Sequence, residues 1–271
     1  MWKRRASIGM AALGLFLSST FGSLPSVLSP FHQLENRDVR AYVKHNLGGI
    51  IKIHEDNLRI TFDEEPEVRW GQPRDLSASA YPEQGIALAS FDPETDTIFL
   101  SAPLLRNPDS TLINLLLRKF IPRVYKQRSP TDGILSHELG HYFVDQEAES
   151  MGEGNWPPDF ENYTLEEVYG IQLVSEGIAC HFEKLFNFGA IAPYFDSHWP
   201  TNIDDWTNDD IYNGGFFLVQ PIIAQYGLQG IRHLILNPPN ECEIYDLPAY
   251  RTNMLEQLEN QICFEEVCIQ G

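Results

Sequence analysis

Basic side chains are scarce in this sequence: 19 Lys and Arg stand against 38 Asp and Glu over 271 residues, a formal net charge of −19. Such a balance repels polyanions and anionic lipid surfaces, so no nucleic acid is expected as a partner. Internal repeats and low-complexity tracts are absent. Past the N-terminus no apolar run is long enough to cross a bilayer. Cysteine is sparse, with only Cys180, Cys242, Cys263 and Cys268. An even count permits disulfides in an exported protein, and three of the four fall in the last 30 residues. A bridge pinning the C-terminal segment is therefore expected, although spacing assigns no pairing. What is present is an ordinary globular composition, 43% hydrophobic and 12% aromatic, which argues against disorder.

The N-terminus differs from the rest. "MWKRR" is a short basic stretch, and "ASIGMAALGLFLSSTFGS" is an apolar run ending in small residues. These are the two regions of an export signal, so residues 1–22 are expected to be a signal peptide and the protein secreted or periplasmic. The clean apolar core, Ile8 to Leu17, is short for a bilayer. No A-x-A site marks cleavage, so an uncleaved N-terminal membrane anchor is the alternative; no other membrane insertion is expected.

Residues 31–271 are expected to form a single domain. "FHQLENRDVRAYVKHNLGG" has helical spacing, with a glycine pair to stop it. The runs "GIIKIHE", "LRITF", "GIALASF" and "TIFLS" make residues 48–102 β-rich, the last two flanking "DPETD" as a hairpin. Helices are expected across 110–189 and again across 205–271. One of them starts at "SPTD", with a Ser129 cap, Pro130 at the first position and Asp132 three after the cap. Another starts at the Thr164–Glu167 capping box and closes at Gly189. "DDIYNGGFFLVQPIIAQYG", "LQGIRHLIL" and the tail from Leu247 are helical in pattern. Strands first and helices afterwards give an α+β class, a small mixed sheet followed by a mainly helical C-terminal part.

Chemistry concentrates in "HELGH", residues 137–141. Residues four apart on a helix lie one above the other on one face. His137 and His141 can thus aim their imidazoles at one Zn²⁺, at about 2.0–2.1 Å each. Glu138, about 100° round the helix, stands beside the ion as a general base. A catalytic zinc site needs a third protein ligand. Glu176 in "LVSEGIACHFE" is the favoured one, with Glu183 as competitor and His181 as a weaker alternative. Partners for the outer ring nitrogens of the histidines are sought among Glu183, Asp145 and the backbone. Cys180 has no basic neighbour to activate it and reads as a small buried residue, not a nucleophile.

HELGH followed some 35 positions later by S-E-G-I-A resembles the gluzincin branch of the zincin metallopeptidases, the peptidase MA-like superfamily. The resemblance spans roughly residues 85 to 236. It implies a zincin-like fold, one Zn²⁺ held by His137, His141 and Glu176, and hydrolysis of peptide or protein substrates. It also implies that Tyr212, in "IYNGGFFLVQPIIAQYGLQGIRHLI", donates to the oxyanion, and that the edge strand of the "GIALASFDPETDTIFLS" hairpin lines up the substrate. The metzincin alternative needs Gly at 144 and His at 147, where this chain has Val144 and Glu147. No G-x-M-E-N segment is present to grip a free amino terminus, so exopeptidase activity has no support. The rival reading is a non-catalytic zinc-binding module mediating extracellular or periplasmic binding; a base at Glu138 is superfluous to it.

Overall fold

The computed structural model describes residues 29–70, 89–100, 130–154, 156–158, 160, 163–185 and 206–269. A long helix, α1 (Ser29–Leu58), comes first, followed by three short strands, β1 (Glu67–Trp70), β2 (Ala89–Asp92) and β3 (Thr97–Leu100). Among the described residues four α-helices follow: α2 (Pro130–Met151), α3 (Leu165–Lys184), α4 (Asn208–Leu236) and α5 (Leu247–Ile269). The class is α+β and mostly helical. The expected signal at 1–22, the helix after Asp109, the Ser129 cap and the Gly189 stop lie outside the described residues. No described helix is long and apolar enough to cross a membrane.

Two expected strands are corrected. "GIIKIHE" continues α1, and "LRITF" is the helix end and a loop, not strand. The reason is burial. Val43, Leu47, Ile50, Ile51 and His54 follow one helical face, and all are buried. Gly48 and Gly49, expected to stop the helix, sit inside it. Each costs about 1 kcal/mol relative to Ala, which burial of this face offsets. Arg59, at φ 55°, ends α1, and Ile60 and Phe62 then tuck into the core. The first strand falls later, at Glu67–Trp70, where only alternate residues are half-buried.

The sheet order is β1-β3-β2, with β1 parallel and β2 antiparallel to β3. The hairpin pairs Ala89 with Leu100 and Asp92 with Thr97. In its turn, Asp92 accepts from the Glu94 N–H and from the Thr95 hydroxyl, and Asp96 takes φ 49°. Among the described residues that leaves β2 as an edge strand, packed beside α2.

The helices meet at glycines. A Cβ on Gly140 would lie 2.6 Å from the Ala179 Cα, so α2 and α3 touch backbone to backbone. A Cβ on Gly177 would lie 2.3 Å from the Gly215 carbonyl oxygen, which fixes α3 against α4 in the same way. Both helices begin on capping boxes: Thr164 with Glu167, as expected, and Thr207 with Asp210, which the sequence reading did not single out. Helix α4 breaks at Gly227 (φ 54°), between the two helical patterns read from the sequence. Gly140→Ala is expected to destabilise the fold by about 1–3 kcal/mol through overpacking. Thermal melting against wild type checks it; an unchanged melting temperature would mean that α2 and α3 can separate freely.

Candidate metal centre

Helices α2 and α3 bring three lone-pair donors to one point. His137 Nε2 lies 3.2 Å from His141 Nε2 and 3.2 Å from Glu176 Oε2, and His141 Nε2 lies 3.6 Å from Glu176 Oε2. Donors bound tetrahedrally at about 2.0–2.1 Å stand about 3.3–3.4 Å apart, so the triangle fits one ion. All three residues are buried. Glu176 Oε2 makes no well-directed hydrogen bond despite its imidazole neighbours. Three facing acceptors with at most a proton or two between them repel one another; a cation relieves that.

Charge balance points the same way. Glu138, Glu176 and Glu183 are all buried around His137. Among the described residues, no lysine or arginine pairs with any of the three; the recorded partners are His137 and His141. Burial raises the Glu176 carboxyl above the usual range against the pull of His137. Burial alone would lower His137, but its neighbours Cys180, Glu176 and Glu183 hold it well above its ordinary value. Burial, reinforced by charged His137, holds His141 well below. His137 thus carries what positive charge the pair has.

Both histidines have a polar neighbour behind them. His141 Nδ1 lies 3.0 Å from the Ser175 hydroxyl, which accepts from it in the tautomer that leaves Nε2 free to bind an ion. On the far side of His137, Nδ1 is 3.3 Å from Glu183 Oε2. Glu183 therefore meets the opposite ring nitrogen from Glu176, and of the two expected competitors only Glu176 joins both histidines. Ser136 donates to the Phe182 carbonyl at 2.9 Å and accepts from His54 Nε2 at 2.6 Å, locking α1, α2 and α3 together next to His137. Ser136, Ser175 and His54 were not singled out from the sequence. The serines carried a signal, since each immediately precedes a ligand residue; His54 carried none.

Of the other expected residues, Glu138 and Tyr212 lie near this point, whereas His181 and Asp145 do not. Glu138 is buried beside the triangle, with Oε2 unpartnered. Burial lifts its pKa to about 8, opposed by charged His137; the Phe91 backbone N–H of edge strand β2 donates to it. The Tyr212 ring stands against His137 at 5.8 Å between centroids, on α4. His181 is apart, half-buried and stacked on Phe216 at 6.5 Å. Asp145 does not reach a histidine; its carboxylate accepts from the Trp156 backbone N–H. Cys180 is a buried free thiol pushed up to about 11 by burial, which agrees with a non-nucleophilic role. Cys242 is exposed and free, and the side chains of Cys263 and Cys268 lie outside the described residues.

Among the described residues, two groups of side chains are geometrically able to hold a metal ion: His137, His141 and Glu176, and His137, Cys180 and Glu183, the donor atoms of each lying within 4.8 Å of one another. Compared with known proteins, the chain matches no family model, no curated protein and no solved structure.

Proposed function

We propose that this chain is a zinc-dependent peptidase of the gluzincin kind, acting outside the cytoplasm on peptide or protein substrates. One observation carries the reading: a triangle of His137 Nε2, His141 Nε2 and Glu176 Oε2 with 3.2–3.6 Å edges, and a buried carboxylate, Glu138, beside it. Two nitrogens, one oxygen and tetrahedral spacing suit zinc. The signal-like N-terminal stretch supports work after export. A module that only bound metal would have no use for Glu138.

Zinc, when bound, supplies Lewis acidity that polarises a carbonyl oxygen and makes a nearby water easier to deprotonate. The rest belongs to the chain. Glu138 takes the proton of the attacking water and returns it to the departing amine nitrogen. The Phe91 N–H holds that carboxylate in place, which ties the base to the edge of the sheet. An extended substrate aligns along the edge strand β2, and Tyr212 donates to the oxyanion from α4.

The reading is tested by digesting a mixed peptide library with zinc-loaded protein. Hydrolysis is expected, lost on chelation and restored by zinc. A zinc-loaded chain that cleaves nothing would reduce the site to metal binding. Tyr212→Phe is expected to lower kcat by roughly 10²-fold, in the range of losing one oxyanion donor, with little change in KM. A kcat equal to wild type would return the tyrosine to a packing role.

A further inference from the structure

We propose that the rear of His137 is a second cation site, in which Nδ1, the Cys180 thiolate and a Glu183 carboxylate oxygen take a thiophilic metal ion and compete with the front triangle for that histidine. A ring nitrogen of His137, the Cys180 Sγ and a Glu183 carboxylate oxygen lie within 4.8 Å of one another, and Glu183 Oε2 is 3.3 Å from Nδ1. All three residues are buried, and Cys180 is in no disulfide. Sulfur distinguishes the two faces of the ring. The front offers two nitrogens and an oxygen, while the rear offers a nitrogen, an oxygen and a soft thiolate that favours thiophilic ions.

Charge suits the rear face to a divalent ion in a buried place, because one thiolate and one carboxylate cancel its two charges. Without an ion the thiol keeps its proton near neutral pH, as thiols ordinarily do. Binding therefore forms an S–metal bond and releases that proton to solvent. The competition follows from imidazole chemistry. A neutral ring has one nitrogen lone pair in the ring plane and one N–H, so the nitrogen that binds an ion leaves the other protonated. An ion behind His137 thus removes it from the front triangle, and an ion in front closes the rear. The site exists on these residues whether or not the chain hydrolyses peptides. Only the consequence, that a thiophilic ion switches the front centre off, rests on the peptidase reading.

The test is a cadmium titration of the full chain with Cys242, Cys263 and Cys268 changed to Ser, so that Cys180 is the sole thiol. An ultraviolet thiolate-to-cadmium charge-transfer band is expected, saturating at one ion per chain and persisting when His141→Ala disables the front. Adding Cys180→Ser should abolish the band, and Glu183→Gln should move the titration midpoint to higher cadmium. Preloading with one zinc should do the same to the parent chain. X-ray absorption at the cadmium edge of the parent chain, which needs no further variant to fold, should count one sulfur neighbour. No band, or no sulfur neighbour, overturns the site; a midpoint indifferent to zinc overturns the competition. None of these readouts is hydrolysis, so a failure here is separable from a failure of the peptidase reading.

Discussion

Glu138→Gln is expected to keep the fold and the metal while lowering peptide hydrolysis by roughly 10²-fold to 10⁴-fold, the usual worth of a positioned general base. The amide fills the same volume and still accepts from the Phe91 N–H, so β2 stays tied to α2. What it cannot do is take a proton. The wild-type Oε2 is buried with no hydrogen-bond partner, a proton acceptor held in readiness at a large desolvation cost. That cost also shapes the pH profile. Burial sets the carboxyl near 8 without an ion, and a neighbouring cation lowers it again. The base is lost as it protonates, so wild-type kcat/KM should fall on the acid side, with the midpoint below pH 8. This acid limb should vanish with the carboxylate. Comparing kcat and bound zinc for the two proteins decides the matter: a Gln variant turning over at the wild-type rate would exclude Glu138 as the base.

The second large effect concerns the metal itself. Glu176→Gln should weaken zinc binding by more than roughly 10²-fold, because outer partners of a ligand are already worth 10-fold to 100-fold. Glu183→Gln, which touches only the far nitrogen of His137, should fall within that outer range. The two carboxylates are the rival third ligands, and competition with a chelator of known affinity ranks them. A greater loss from Glu183→Gln would reverse their roles. Stability supplies a check against misfolding. Glu176 is one of three buried carboxylates around one histidine pair. Removing its charge should leave the metal-free melting temperature unchanged or higher.

The centre was legible because its ligands obey a short period. His137 and His141 are one helical turn apart, and the helix that carries them was marked by its caps and apolar face. Thr164 and Glu167 announced the second helix with equal clarity. Sequence pattern failed where tertiary burial decided the outcome. "GIIKIHE" has the β-branched content of a strand, yet its Ile50, Ile51 and His54 are the buried stripe of a helix that runs through two glycines. The β1 strand was missed because a half-exposed four-residue segment has little pattern to show. Outer partners were harder still. Ser175 and Ser136 find their mates across 34 and 46 residues of chain, a distance that no local rule spans.

The backbone contacts that flank α3 bear on which ion the front triangle prefers. Glu176 precedes Gly177, where α3 touches α4, and its helix meets α2 at Ala179. The ligand-bearing helix is therefore held on two sides, and the 3.2–3.6 Å triangle has little freedom to dilate. Calcium, which takes six to eight oxygens at about 2.3–2.6 Å, would have to spread helices already packed without intervening side chains, for the reward of one carboxylate. Ionic radius becomes a selection rule enforced by two small-residue crossings. The same glycines that let the helices approach would also set the size of any ion the triangle held.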